Sequence, residues 1–377
     1  MTNLPLVDLL GQYKKIEEEI DRAVLDVIKS GAYINGPEVK AFAADLENYL
    51  GTGTHVIPVA NGTDALQIAL MALGLEPGDE VITPSFTYIA TAEVIALLNL
   101  KAVFVDVDPR TFTIDVDEVE KAITPRTKAI VPVHLYGHCA QMELLKGISA
   151  KHGIPLVEDT AQAIGSYVHM GDGSSMRAGT IGDIGTTSFF PSKNLGCYGD
   201  GGAMFTRDEE LAQKIRMIAN HGQSKRYYHD LIGCNSRLDS IQAAILRIKL
   251  RHLDEYTAAR NSAAEYYSAA FAEFDEIETP FIADWSTHGF HQYTIKLHGV
   301  DRAAMQAYLQ ERGIPTNIYY PVPVHRQKGF AGKFEQVGDL KVTDELTEQV
   351  LSLPIHTELN EETLAYITNH IKGFLQA

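Results

Sequence analysis

From residue 55 to residue 206 the chain repeats one order: a short apolar run, a turn, then a stretch with helical spacing. VIPVANGTDALQIALMALGL reads as strand, tight turn and helix, and EVITPSFTYIATAEVIALLNL repeats it. AVFVDVDP, TKAIVPVHLYG, IPLVEDTAQAIG, TTSFFPSK and GGAMFTRD add strands, with a helix around 141–152. Strands that alternate with helices pair mostly in parallel, because each helix carries the chain back across the sheet. The expected fold is α/β, with a mostly parallel sheet of about seven strands and helices on both faces.

The flanks read differently. Residues 12–30 have the spacing of an amphipathic helix ending at Gly31, and 37–50 place Val39, Phe42, Leu46 and Tyr49 on one side of another. After residue 236 the stretch SRLDSIQAAILRIKLRHLDEYTAARNSAAEYYSAAF is nearly unbroken helix. A strand (HQYTIKL) and helices at 301–312 and 361–375 follow. A chain of 377 residues is long for one core. The expected division is a large domain over 1–250 and a smaller C-terminal α/β domain over 251–377.

Composition narrows the classes of partner. The formal net charge is −17, against nucleic acid or an anionic membrane as a partner, although a pocket can be locally basic. Three cysteines, Cys139, Cys197 and Cys234, form no C-x-x-C pair, so no zinc site is expected and a reducing cytoplasm is the simplest setting. The first residues turn acidic too soon for a signal peptide, and no apolar run is long enough to span a bilayer.

Two residues stand out as chemistry. Asp159 closes the strong β pattern of PLVEDTAQA, and ligands of open α/β sheets gather at such strand ends. A structural acid at a strand end is the plain alternative. Lys193 follows the strand SFFPS and precedes glycines at 196, 199, 201 and 202, which let a ligand approach the backbone. Alone it could be a surface lysine in a loose loop. Together they supply what pyridoxal phosphate needs: an amine for a Schiff base and an acid against the pyridine nitrogen. ANGTDAL turns from strand to helix, where backbone N–H groups suit a phosphate, though Asn61 or Thr63 could simply cap the helix. Tyr88 lies just past a strand end, placed to stack on a ring or to fill a core. The same turn lacks G-x-G-x-x-G, which argues against a nicotinamide enzyme.

NGTDAL, PSFTYIAT, EDTAQA, SFFPSKNLGCYGDGG and NSRLDSIQAA occur in this order, with NGPEV before them and YYPVPVH after. Together they resemble the sugar-nucleotide aminotransferases of the DegT/StrS group across nearly the whole chain. The resemblance implies the pyridoxal-phosphate fold of type I, a homodimer with its active site at the subunit interface, and glutamate as amino donor. It implies that Lys193 carries the cofactor, Asp159 pairs with the pyridine nitrogen, and Gln162 lies beside the ring's 3-hydroxyl. Gly62, Thr63 and Ser188 hold the phosphate, Tyr88 stacks, and Asn235 reaches the phosphate of the other subunit. Arg237 clamps a carboxylate or phosphate, with a surface helix cap as its plain alternative. Tyr319, Tyr320 and His325 fall at the sugar end. GCYGDGG and NSRLD carry a closer likeness, to members that aminate C3 of UDP-2-acetamido-2-deoxy-3-oxo-glucuronate for surface polysaccharides such as O-antigen. The alternatives are a C4 enzyme on another UDP-, dTDP- or GDP-keto-sugar and a non-catalytic regulator that binds the cofactor. Some relatives carry histidine in the lysine's place and dehydrate; Lys193 favours transamination.

Overall fold

The alternating region supplies β1 (His55–Val59), β2 (Glu80–Pro84), β3 (Lys101–Val105), β4 (Thr127–Ile130), β5 (Val157–Asp159), β6 (Ile184–Ser188) and β7 (Gly202–Thr206). The structure, a computed structural model, describes residues 4–51 and 53–376. β1, β7, β6 and β5 are adjacent in that order. Parallel bridges from Ile130 to Leu156 and from Val133 to Asp159 continue the sheet from β5 into β4, β2 and β3. Pairing is parallel except at β7, which runs against both β1 and β6. Residues 189–201, between β6 and β7, contain no helix, so the chain turns back instead of crossing over.

Strand pleating feeds two cores. Val81, Ala102 and Phe104 join Ile57, Leu66 and Met204 on one face. Ile82, Val103 and Val105, one residue out of step, join Leu145, Ile148 and Ile181 on the other. Both faces of β2 and β3 are thus buried, as a sheet covered by helices on both sides requires.

Farther along the chain come β8 (Tyr293–Leu297), β9 (Phe334–Gln336) and β10 (Val350–Leu353). β8 lies antiparallel between Ile277–Glu278 and β10. Helices Leu253–Phe271, Arg302–Glu311 and Glu361–Leu375 contribute Tyr267, Phe271, Leu309 and Ile367 to one core with Tyr293 and Ile295. β9 leaves this region and pairs in parallel with β3, so the large sheet has an edge strand beyond the seven expected. Three residues, FEQ, carry no alternation that would have announced it.

Other departures are local. The helix expected over 12–30 is two, Leu9–Lys15 and Glu17–Ser30, parted at Ile16; Gly31, at φ 68°, ends the second. The long helix after 236 is Ser240–Leu250 and Leu253–Phe271, parted at Arg251 and His252. Hairpins at 167–177 and 223–229 were not anticipated. Among the described residues no helix is long and apolar enough to cross a membrane.

Phe104 ties β9 to the sheet: its ring meets Phe330 at 5.8 Å and Phe334 at 5.2 Å, and its carbonyl accepts from Val337 N. Phe104→Ala should cost about 3–5 kcal/mol in chemical denaturation. Hydrogen exchange around 334–337 should rise more than in β5 or β6.

Candidate active site

The carboxyl ends of β5 and β6 and the helix Gly62–Leu73 after β1 meet on one side of the sheet. Glu158 and Asp159 are neighbours on β5, and the pleat sends their side chains to opposite faces. Glu158 is fully enclosed. It accepts from His134 Nε2 at 3.0 Å and from the amides of Gly179, Ile181 and Gly182 at 2.9, 2.7 and 2.6 Å. Burial alone would raise its carboxyl, but His134 and those amides hold it below the ordinary range. Glu158 is therefore structural, and Asp159 is the acid that faces the site.

Asp159 is buried but its oxygens are oriented: Oδ2 accepts from Thr91 Oγ1 at 2.8 Å and Oδ1 from Ala161 N at 3.1 Å. Thr91 is held in turn by Thr87 at 3.1 Å. The backbone of Asp159 is pinned to Pro132 and His134. Thr91 was missed in the sequence, although it ends the TYIAT run that begins one residue before Tyr88.

Lys193 stands on a tight turn after β6, its N–H donating to Phe190 O at 2.8 Å. Gly196 makes that turn possible, since a Cβ there would lie 2.4 Å from Pro191 O. Burial pushes the Lys193 ammonium down to about 8, and the nearby Asp159 carboxylate only partly opposes it. The amine is thus more readily neutral than a solvated lysine, as a nucleophile or base must be.

Gly62 packs on Ser188: a Cβ on Gly62 would lie 2.7 Å from Ser188 Cβ. Asn61 caps the helix by accepting from Asp64 N at 2.8 Å. Among the described residues the N–H groups of Gly62 and Thr63 have no partner, so capping leaves an anion cradle beside Ser188. A buried carboxylate, a lysine whose charge is disfavoured and two helix N–H groups without a partner beside Ser188 are what pyridoxal phosphate would need.

Gln162 is buried and bridges two tyrosines, its Oε1 accepting from Tyr136 N at 2.6 Å and its Nε2 reaching Tyr320 Oη at 3.0 Å. Tyr88 is 56% exposed, its ring centroid 6.1 Å from that of Tyr320. Tyr319 adjoins Tyr320 at the same rim. His325 is tied down at both ring nitrogens, by Ser85 Oγ at 2.7 Å and Asp344 at 3.4 Å, anchoring its turn to the end of β2. Ser236 accepts from Ala60 N at 3.0 Å, which brings 235–237 beside the cradle turn. Asn235 itself is exposed. Arg237 is half-buried and, among the described residues, has neither ion pair nor hydrogen bond. A cleft of about 320 Å³ lined by Asp108, Asp115 and Trp285 contains none of these residues.

The model of the DegT/DnrJ/EryC1/StrS aminotransferase family matches residues 14–372, and the chain belongs to that family. It is 46% identical to a UDP-2-acetamido-2-deoxy-3-oxo-D-glucuronate aminotransferase of Pseudomonas aeruginosa, covering 97% of this chain and 98% of that one. It is also 46% identical to a pleiotropic regulatory protein of Geobacillus stearothermophilus, over 99% and 98%. A UDP-N-acetyl-3-dehydro-alpha-D-glucosamine 3-aminotransferase of Acidithiobacillus ferrooxidans is 43% identical over 99% and 98%. The crystal structure of DesV of S. venezuelae, in complex with a ketimine intermediate, superposes with a TM-score of 0.94 at 40% identity over all of both chains. That of NtdA of Bacillus subtilis, with bound cofactor PMP, gives 0.89 at 32% identity over 100% of this chain and 86% of that one. The fold and cofactor follow: a type I, pyridoxal-phosphate-dependent aminotransferase.

Burying Lys193 costs the cofactor-free protein stability. Below about pH 8 the amine is charged in both folded and unfolded chains, and the folded state bears the full penalty. Between about 8 and 10.5 the folded state gives up its proton first and the penalty fades. Lys193→Met should therefore raise the melting temperature of cofactor-free protein at pH 7. The gain should shrink as pH climbs through that window.

Proposed function

We propose that this aminotransferase moves an amino group from glutamate to C3 of UDP-2-acetamido-2-deoxy-3-oxo-glucuronate, for a bacterial surface polysaccharide such as O-antigen. The observation that carries the choice of substrates is Arg237, a half-buried cation with no anion from the described protein. Glutamate and an acidic sugar both offer it a carboxylate, and a guanidinium binds carboxylates through two parallel hydrogen bonds. Relatives named for a 3-oxo and a 3-dehydro sugar support carbon 3 over carbon 4. The Geobacillus relative is named for regulation, but this chain keeps the acid and the lysine that the chemistry needs.

When bound, pyridoxal phosphate supplies an aldehyde for a covalent link to an amine and a ring that takes up electrons when the adjoining carbon loses its proton. Lys193 holds the cofactor at rest. Displaced by the donor's nitrogen, its amine would be free to take the proton from the donor's α-carbon and to deliver it to the cofactor carbon on the other side of that nitrogen. Asp159, aimed by Thr91 and the Ala161 amide, keeps a proton on the ring nitrogen. Gly62, Thr63 and Ser188 bind the phosphate, Tyr88 stacks on the ring, and Gln162 lies beside its hydroxyl. Tyr319 and Tyr320 meet the sugar, and His325 steadies the turn beside them.

The chain works as a homodimer in this reading, with Asn235 completing the partner's phosphate site. Phe190 and Tyr88, both large and more than half exposed at the rim, favour a covering second subunit. Three free cysteines fit a reducing cytoplasm.

Protein loaded with pyridoxal phosphate should show a visible absorption band that bleaches on adding glutamate, and Lys193→Ala should show neither band nor turnover. A band indifferent to glutamate would remove glutamate as donor. Arg237→Ala should raise KM for the acidic sugar about 10- to 100-fold with a smaller change in kcat. Equal turnover of an uncharged UDP-3-keto-sugar by the wild type would remove the uronate.

A further inference from the structure

Tyr136 occupies a backbone conformation that bulky residues rarely adopt, φ 59° and ψ 0°, and is almost wholly buried. Every polar group it has is engaged. Its N–H donates to Gln162 Oε1. Its carbonyl accepts from His291 N at 2.8 Å and Gln292 N at 3.4 Å. Its hydroxyl donates to the carbonyl of Tyr319. Its ring stands edge-on to Phe86 at 6.4 Å and Phe112 at 5.5 Å, and Phe86 in turn meets the ring of Tyr320 at 6.3 Å. A strained residue held from so many directions is a common mark of a functional position.

The N–H of Tyr136 can only donate, so the oxygen of the Gln162 amide must face it. The Gln162 nitrogen then donates to Tyr320 Oη, which accepts. Tyr320 must therefore turn its own proton elsewhere, and no other described group takes it. Burial, first of all, pushes this phenol well above its ordinary range, so the proton stays on. On the exposed side of Tyr320 lies Tyr88, at the rim of the site.

We propose that Tyr136 is a positioning residue: through Gln162 and the Tyr319 carbonyl it sets Tyr320 as a hydrogen-bond donor to an oxygen of the acceptor sugar. This rests on the substrate reading above, and it adds the direction of one hydrogen bond and the residue that enforces it.

The test is a double-mutant cycle with Tyr136→Phe and Tyr320→Phe, each loaded with pyridoxal phosphate. The readout is calorimetric titration with UDP-glucuronic acid, supported by bleaching with glutamate and by the crystal structure of Tyr136→Phe. Each single variant should weaken UDP-glucuronic acid about tenfold. The double variant should be no weaker than Tyr320→Phe alone, because Tyr136 acts through Tyr320. Tyr136→Phe keeps the N–H to Gln162 and loses only the hydroxyl bond to the Tyr319 carbonyl, so bleaching by glutamate should fall less than sugar binding, and in its crystal structure Tyr320 should shift and lengthen its hydrogen bond to Gln162. Additive losses, an equal loss in glutamate bleaching, or an unmoved Tyr320 would overturn the proposal. If the wild type ignores UDP-glucuronic acid, the acidic UDP-sugar falls, and the crystal structure still decides whether Tyr136 positions Tyr320.

Discussion

An amine that must lose its proton near neutral pH cannot sit in water and cannot be locked in a salt bridge. Lys193 meets both conditions. Burial disfavours its charge, while Asp159 stands close enough to attract it but spends its oxygens on Thr91 and the Ala161 amide. A direct ion pair would have reversed the shift. The adjacency of β5 and β6, the turn at 190–193 and the glycine after it all maintain that separation.

The same strand shows how one step along the pleat changes a residue's task. Glu158 is enclosed by four donors on one face and stabilises the fold; Asp159 faces the site. The cradle is economical in a similar way. Asn61 satisfies one N–H of the helix start, and the two before it are left for an anion. Capping and anion binding, which look like rival explanations of NGTDAL, are compatible because a helix start has more than one free donor.

What was legible in the sequence followed from periodicity and chemistry that need few residues. β1 to β7 were readable as apolar runs between turns and Gly31 as a helix stop, and Asp159 and Lys193, paired on chemistry, lie at the ends of neighbouring strands. The missing pieces lack local signals. β9 is three residues long, and only Phe104 and its neighbours make it a strand. The breaks at Ile16 and at Arg251–His252 fall in sequence that reads as helix throughout; the structure offers no cause for the second. Tyr136 could not be singled out, since its role depends on a positive φ and on partners from residues 162, 291 and 319. HLYG hints at it only through the glycine that follows.

A chain of net charge −17 that handles anionic substrates looks like a contradiction, but range resolves it. Exposed charges are screened over about 8 Å at physiological salt, so distant carboxylates say little about the potential inside the site. Under the proposed function, what an arriving carboxylate or phosphate would feel there is local: helix N–H groups at Gly62 and Thr63, a guanidinium at Arg237 with no partner among the described residues, and a phenol at Tyr320 with its proton free. The acidic surface then acts as selection. It gives no general attraction to polyanions, so an anion gains only where directed donors meet it.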